Sequence, residues 1–135
     1  MATGLKELRG ASADLVKKLT SEGIKDGDGL VDAAAKPAQR KALAERCGCE
    51  TRTILELANR ADLARVKGVS GVYSDLLEKA GVDTVKELAT RNSANLHATI
   101  VATNNEIKLT QRAPTADQVA DWVGQAKVLP KLLEY

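Results

Sequence analysis

The stretch Leu63–Leu88, LARVKGVSGVYSDLLEKAGVDTVKEL, decides the fold. Gly68 and Gly71 bracket a tight turn, which we call the Gly68 turn (residues 68–71). Ser70 is placed to cap the helix that follows, because its hydroxyl can accept a hydrogen bond from an early helical N–H group. That helix has an apolar face with helical spacing, formed by Val72, Leu76 and Leu77.

A second short helix is predicted at the end of the same stretch. Gly81 has the position of a left-handed C-cap for the first helix, and Asp83 or Thr84 can cap the next one. Two helices that fold back on each other across such a turn resemble the helix-hairpin-helix motif. The resemblance implies DNA binding that is largely independent of sequence, because most families with this motif hold a phosphate on the backbone amides of the hairpin.

The chain contains an internal repeat. A shift of 58 positions aligns residues 10–13, which we call the Gly10 turn, with the Gly68 turn. The same shift aligns Gly10 with Gly68, Ser12 with Ser70, Leu19 with Leu77 and Gly23 with Gly81. Because these positions set turns, caps and packing, they indicate a duplicated supersecondary unit. A shift of 65 aligns the later helices, which places a seven-residue insertion near the polar segment 108–114.

The remaining sequence also favours helices. Pro37 is typical of a first helical turn, and Thr115 with Gln118 forms a capping box. Alternation of apolar and polar residues does not persist, apart from a weak EIKLTQ at residues 106–111. With 135 residues, the chain is long enough to bury a core without disulfides. We therefore predict an all-α fold.

The repeat extends this prediction to the arrangement of the helices. Two tandem, pseudo-symmetric helix-hairpin-helix repeats, at approximately residues 1–62 and 63–135, are expected to pack as one compact domain over residues 1–135. Trp122 is the only tryptophan. Its spacing predicts a core position beside Val119, Val123 and Ala126. The alternative is an exposed platform on which a base stacks.

The order of elements resembles a bacterial family of uncharacterised domains that carry tandem helix-hairpin-helix units. The segments that carry this resemblance are NRADLARVKGV (residues 59–69), GVYSDLLEKAGVDTVKELATRN (residues 71–92) and TADQVADWVGQAK (residues 115–127). The resemblance covers nearly the whole chain. The family has no established activity, so the resemblance implies a fold. A function has to be inferred from the residues of the site.

The two glycine turns are the predicted site. Early N–H groups of a helix lack internal partners, and the helix dipole attracts a phosphate to that end. The predicted nucleic-acid-binding residues are Arg9, Gly10, Ser12, Arg65, Lys67, Gly68, Ser70 and Gly71. Two features depart from the DNA-binding pattern: serine replaces the usual second hairpin glycine, and the expected lysine after it is missing. Asp14 would also repel a phosphate at the Gly10 turn.

The overall charge leaves two functions open. The chain has 20 basic and 18 acidic residues, a net charge of +2 and a pI near 8.6. This balance gives no strong long-range field, so nucleic-acid binding would depend on local contacts. We expect a non-enzymatic module that binds DNA weakly and without sequence preference. The alternative is a protein-interaction or scaffold domain whose turns are purely structural and whose partner contacts an exposed helix face or the segment 128–135.

Other motifs do not predict chemistry. Cys47 and Cys49 lack further metal ligands, so we expect a buried or idle pair and no zinc. His97 has no partner spacing typical of a catalytic base. Asp26–Gly29, DGDG, lacks the later ligands of a calcium loop and is expected to be a turn. No enzyme activity, cofactor or metal is predicted, and with no signal peptide or membrane span in the sequence we expect a cytoplasmic location.

Overall fold

The computed structural model describes residues 4–8, 10–69 and 71–134 of the chain. Within these residues the regular structure is helical, apart from one isolated antiparallel bridge between Gly4 and Asp26. A 3₁₀ helix at Leu5–Glu7 is followed by α1 (Ala13–Ser21), α2 (Gly27–Ala33), α3 (Pro37–Cys47), α4 (Thr51–Leu63), α5 (Gly71–Lys79), α6 (Val85–Ala89), α7 (Ser93–Ile107) and α8 (Ala116–Val128). The all-α prediction is confirmed.

The chain divides into two compact units. Unit 1 comprises Met1–Arg65 together with Leu132–Tyr135, and unit 2 comprises Val66–Lys131. Residues 132–135 therefore belong with the first half of the chain, although the sequence grouped them with the second repeat. Unit 1 contains α1 to α4, and unit 2 contains α5 to α8.

Unit 1 is built around α4. Both α2 and α3 pack against α4, and α1 packs against α3 and the 3₁₀ helix. The helices bury residues at positions i and i+4 or i+3, as an amphipathic helix requires. The most deeply buried side chains are those of Leu19, Leu30, Val31, Leu43, Ile54 and Leu57. Each such aliphatic side chain contributes about 1.5–3 kcal/mol through removal from water.

Unit 2 is built around α8. Both α6 and α7 pack against α8, and α5 packs against α7. Trp122 lies in this core with 2% of its surface exposed, as its spacing predicted, and the alternative of an exposed stacking platform is wrong. The other deeply buried side chains of unit 2 include Leu76, Leu77, Val82, Leu88, Ile100 and Val119.

Several helix starts are capped by polar side chains. The side chains of Ser12, Asp26, Thr84 and Asn92 accept hydrogen bonds from N–H groups three residues later. The side chain of Thr115 does the same for Gln118, whose own side chain returns a bond to complete the predicted capping box. Asp26 is thus the N-cap of α2, and residues 27–29 form the first turn of that helix rather than the separate turn that the sequence predicted, because the Asp26 carboxylate accepts a hydrogen bond from the Gly29 N–H group.

The helices α1 and α5 end in the same pattern. Gly23 and Gly81 follow these helices with φ values of +87° and +98°, in the left-handed region that favours glycine. The next N–H group donates back over the helix end, from Ile24 to the Leu19 carbonyl at 3.1 Å and from Val82 to the Leu77 carbonyl at 2.8 Å. These 6→1 bonds define a Schellman motif. The side chains that flank each bond are buried, namely Leu19, Ile24, Leu77 and Val82. Each motif therefore also fixes how the chain enters the core.

The element lengths agree with the predicted shifts. Helices α1 and α5 each have nine residues and begin 58 positions apart, at Ala13 and Gly71. Helices α4 and α8 each have 13 residues and begin 65 positions apart, at Thr51 and Ala116. The sequence placed the insertion between α7 and α8, and that connection is longer than the equivalent connection between α3 and α4. The superposition of the two halves stays a prediction.

Candidate nucleic-acid interface

The Gly68 turn presents backbone and a cation ahead of α5. Gly68 is exposed and has a φ of +96°, and Lys67 beside it is exposed as well. Gly71 begins α5 and is half-buried. Ser70 lies outside the described residues. The described part of the turn therefore keeps the small residues and the basic side chain that the sequence assigned to phosphate contact.

The backbone of Lys67 is held by a side chain of α8. The Lys67 N–H group donates to Gln125 Oε1 at 2.8 Å, and Gln125 Nε2 donates to the Lys67 carbonyl oxygen at 3.0 Å. Gln125 Nε2 also donates to Asp121 Oδ2 at 2.8 Å. Because the amide engages both polar groups of one residue, it fixes the start of the turn. The Lys67 backbone N–H group is thereby used within unit 2.

Gly68 is also required by its contact with the core. A Cβ atom at this position would lie 3.0 Å from Trp122 Nε1, closer than ordinary contacts allow. The Trp122 ring packs against Tyr73, with ring centroids 5.3 Å apart and planes tilted by 52°. The Tyr73 hydroxyl donates to the Arg112 carbonyl oxygen at 3.2 Å. The turn therefore lies directly over the aromatic part of the unit 2 core.

The electrostatics favour the Gly68 turn over the Gly10 turn. The first turn of α5 carries no acidic residue, whereas the first turn of α1 carries Asp14. The Asp14 side chain is 75% exposed and pairs with Lys18 at 3.1 Å. A carboxylate at this end opposes the attraction that the helix dipole offers a phosphate. We therefore expect a phosphate to be attracted less to the Gly10 turn than to the Gly68 turn.

The placement of Arg65 does not support its predicted role. Arg65 Nη1 donates to Asp62 Oδ1 at 2.7 Å. The two side chains are only 10% and 4% exposed. A guanidinium that is paired and covered in this way is engaged in the fold of unit 1 rather than presented to a phosphate. Lys67 remains the basic residue of the prediction that lies exposed within the described part of the chain.

The Gly10 turn opens onto a pocket. Gly10 is exposed with a φ of +95°, and the Ser12 hydroxyl accepts the α1 capping bond from the Leu15 N–H group at 3.1 Å. Arg9 lies outside the described residues. The pocket has a volume of about 230 Å³ and is lined by Gly10, Ser12, Asp14, Leu15, Lys18, Cys47, Gly48, Cys49 and Thr53.

The two cysteines face this pocket without forming a recognisable metal site. Cys47 is buried and Cys49 is half-buried, and neither is in a disulfide. Burial raises the pKa of both thiols above its ordinary value, and the neighbouring Cys49 and Glu22 raise the pKa of Cys47 further. Among the residues that the structure describes, no group of three or more histidine, cysteine, aspartate or glutamate side chains could hold a metal ion.

The single histidine has a structural contact. His97 lies on α7, and its Nε2 atom is 3.1 Å from the carbonyl oxygen of Pro114. This contact ties α7 to the connection that leads into α8. The sequence reasoning missed Gln125, the residue that anchors the Gly68 turn. The Gln125 side chain forms hydrogen bonds with backbone groups 58 positions away in the sequence. No local sequence pattern therefore indicates this contact.

No helix in the described ranges combines the length and the apolar character that a membrane crossing demands. Over the residues that the structure describes, the fold and the candidate site define an all-helical protein in which glycine turns precede short helices. The chain belongs to the family of the domain of unknown function DUF4332, which matches residues 9–129. Membership of an uncharacterised domain family is thereby confirmed. Comparison with curated proteins gave no match, and comparison with solved structures gave none either.

Proposed function

We propose that this chain is a non-enzymatic nucleic-acid-binding module that contacts a phosphate with its Gly68 turn. The observation that carries the proposal is the combination of exposed Lys67 and Gly68 immediately before α5, whose first turn has no acidic residue. A helix start of this kind attracts a phosphate, and a lysine next to it adds a mobile cation. The anchoring by Gln125 supports the proposal, because a preorganised turn loses less entropy on binding.

The expected binding is weak and independent of sequence. Phosphate contacts position a nucleic acid but carry no base information. The net charge of +2 gives little long-range attraction, so few cations take part. Affinity should therefore fall as salt rises, with a log-log slope of about 0.9 for each phosphate neutralised on duplex DNA. The Gly10 turn contributes less, because Asp14 stands at its helix start.

The test measures binding to labelled duplex and single-stranded DNA by fluorescence anisotropy at a series of salt concentrations. Lys67→Gln should weaken binding and lower the duplex salt slope by about 0.9. Lys79→Gln is the matched control, because Lys79 is exposed at the opposite end of α5, where the helix dipole repels a phosphate. Equal effects of the two variants, or no DNA retention at about 50 mM salt, would contradict the proposal.

A second candidate function is supported by one exposed apolar side chain. Val128 ends α8 and is 83% exposed, more than Ile107 and Leu132, the other exposed large apolar residues that the structure describes. In this alternative the glycine turns stabilise the fold, and unit 2 contacts a protein partner near the end of α8. The result that favours this alternative is an absence of DNA binding together with a self-association or partner association that Val128→Asp abolishes.

A further inference from the structure

A short segment from the far end of the chain completes the core of unit 1. Leu133 is 8% exposed and belongs to the same apolar cluster as Leu30 and Leu43. Its neighbour Leu132 is 46% exposed, so the two leucines differ sharply in environment. All of unit 2 lies between Arg65 and this segment in the sequence. Residues 132–134 therefore contribute to unit 1 as a separate extended piece with a single apolar anchor.

Backbone hydrogen bonds hold the same segment. The Glu134 N–H group donates to the Ala35 carbonyl oxygen at 2.7 Å. The Glu134 carbonyl oxygen accepts from Arg40 Nη2 at 2.8 Å. These contacts use main-chain groups of Glu134, while the anchoring contact uses the side chain of Leu133. The recognition thus has the two parts that bind short extended peptides, a main-chain pairing and one side-chain pocket.

Arg40 is built for this role. Its residue surface is only 4% exposed, and Nη1 donates to the carbonyl oxygens of Ala34 at 2.9 Å and Ala35 at 3.2 Å. The guanidinium therefore bridges the end of α2 and the segment at Glu134. A buried guanidinium loses much of its hydration, so each carbonyl that it contacts offsets a large cost. The junction of α2 and α3 is thus organised around a bound peptide backbone.

We propose that this junction is a binding site for a short extended peptide with a leucine anchor, and that a second copy of this chain can supply the peptide through its own residues 132–134. Identical contacts are available within one chain and between two chains, which is the condition for exchange of a segment. The intramolecular segment has the advantage of effective concentration, so exchange becomes visible when the segment of the receiving chain is removed.

The first experiment removes the segment and adds it back. A chain that lacks residues 132–135 is titrated with the labelled peptide PKLLEY, residues 130–135, and binding is followed by anisotropy. We expect saturable binding and a thermal midpoint that rises with peptide concentration. Leu133→Ala in the peptide should weaken binding on the order of 50-fold, because three buried carbon groups are lost. Leu132→Ala in the peptide is the matched control and should change affinity little.

The second experiment tests exchange between copies. The shortened chain, whose site is empty, is mixed with the full chain carrying Arg40→Ala, whose own site holds its segment less tightly because the hydrogen bond to the Glu134 carbonyl oxygen is lost. Sedimentation should show a 1:1 heterodimer that neither chain forms alone. Leu133→Ala in the donor chain should abolish the heterodimer, whereas Leu132→Ala should leave it. Peptide binding without a heterodimer would overturn the exchange between copies.

The outcome remains decisive if the shortened chain is unfolded. In that case the peptide PKLLEY should restore its helical circular dichroism, and the Leu133→Ala peptide should not. Failure of the peptide to bind a folded shortened chain, or to refold an unfolded one, would overturn the proposed site. Equal binding of the two alanine peptides would overturn it as well, because the anchor would then not be Leu133.

Discussion

The side-chain amide of Gln125 engages both backbone polar groups of Lys67, at 2.8 Å and 3.0 Å. This pairing joins α8 to the Gly68 turn, so the start of the turn is held by a side chain 58 positions further along the chain as well as by its own sequence. Loss of the amide should loosen the turn without changing its charge. A substitution at Gln125 thus separates the geometry of the proposed site from its electrostatics.

Gln125→Ala should lower the free energy of unfolding by about 1–2 kcal/mol, because the hydrogen bonds of the amide to the Lys67 backbone and to Asp121, all of them at the surface, are lost. DNA affinity should fall in parallel, while the salt slope stays unchanged because no cation is removed. Gln118→Ala is the control: it removes the capping-box bond of the same helix and should cost about 0.5–1 kcal/mol without affecting DNA binding. Equal DNA affinities for the two variants would contradict the anchoring role of Gln125.

The glycine at position 68 can be compared directly with Gly23. Both have positive φ values, +96° and +87°, but a Cβ atom at Gly68 meets Trp122 Nε1 at 3.0 Å, whereas one at Gly23 meets nothing within 4 Å. Gly23→Ala should cost about 1–2 kcal/mol from backbone strain alone. Gly68→Ala should cost about 1–3 kcal/mol more, since the crowded contact adds to the strain.

Urea denaturation of the two alanine variants measures this difference. A Gly68→Ala variant as stable as Gly23→Ala would show that Trp122 moves aside freely. Gly68→Val should be more damaging still, to both stability and DNA binding, because a branched side chain extends further into the same contact.

Leu77 should be among the most costly residues to truncate. Its side chain is fully buried, and its carbonyl oxygen accepts the bond that closes the Schellman motif after α5. Leu77→Ala should cost about 2–5 kcal/mol through lost burial and a cavity. Val128→Ala, at 83% exposure, should change stability by less than about 0.5 kcal/mol. The thermal midpoints of the two variants provide the comparison, and similar midpoints would refute the burial of Leu77.

How far the sequence predicted the fold depends on the range of each interaction. The ends of α1 and α5 could be predicted, because Gly23 and Gly81 act within one helical turn of the residues that they terminate. The Gln125 amide at Lys67 and the Arg40 contact with Glu134 could not, since their partners lie 58 and 94 positions away. Their hydrogen-bonding groups meet only after the helices have packed.

Arg65 shows a different limit of the sequence. Its partner Asp62 is three positions away, so the pair was close enough to be seen in the sequence. The sequence does not state which face of the turn after α4 is covered, and a basic residue beside a glycine turn is equally suited to an ion pair or a phosphate. The low exposure of both side chains favours the ion pair, and the phosphate contact of Arg65 stays a prediction.

The two thiols should react slowly and in a fixed order. Burial raises the pKa of Cys47 and Cys49, so the reactive thiolate is scarce near neutral pH. Alkylation followed by mass spectrometry should show Cys49 modified before Cys47, because Cys47 is only 2% exposed. Both rates should rise as the pH approaches the raised pKa values. The protonated thiols stabilise the fold below the ordinary thiol pKa, and this contribution is lost as pH rises through the raised values.

Removal of a carboxylate should improve DNA binding if the Gly10 turn contributes at all. Asp14→Asn takes away the negative charge in the first turn of α1 and releases Lys18, which now pairs with it at 3.1 Å. Affinity for duplex DNA should rise, and the salt slope should steepen by up to about 0.9 as Lys18 becomes available to a phosphate. Asp28→Asn makes the same change of charge in the first turn of α2, a helix that follows neither glycine turn in the sequence, and should have little effect. If both variants raise affinity equally, the gain reflects net charge alone, and the Gly68 turn is left as the sole proposed phosphate contact.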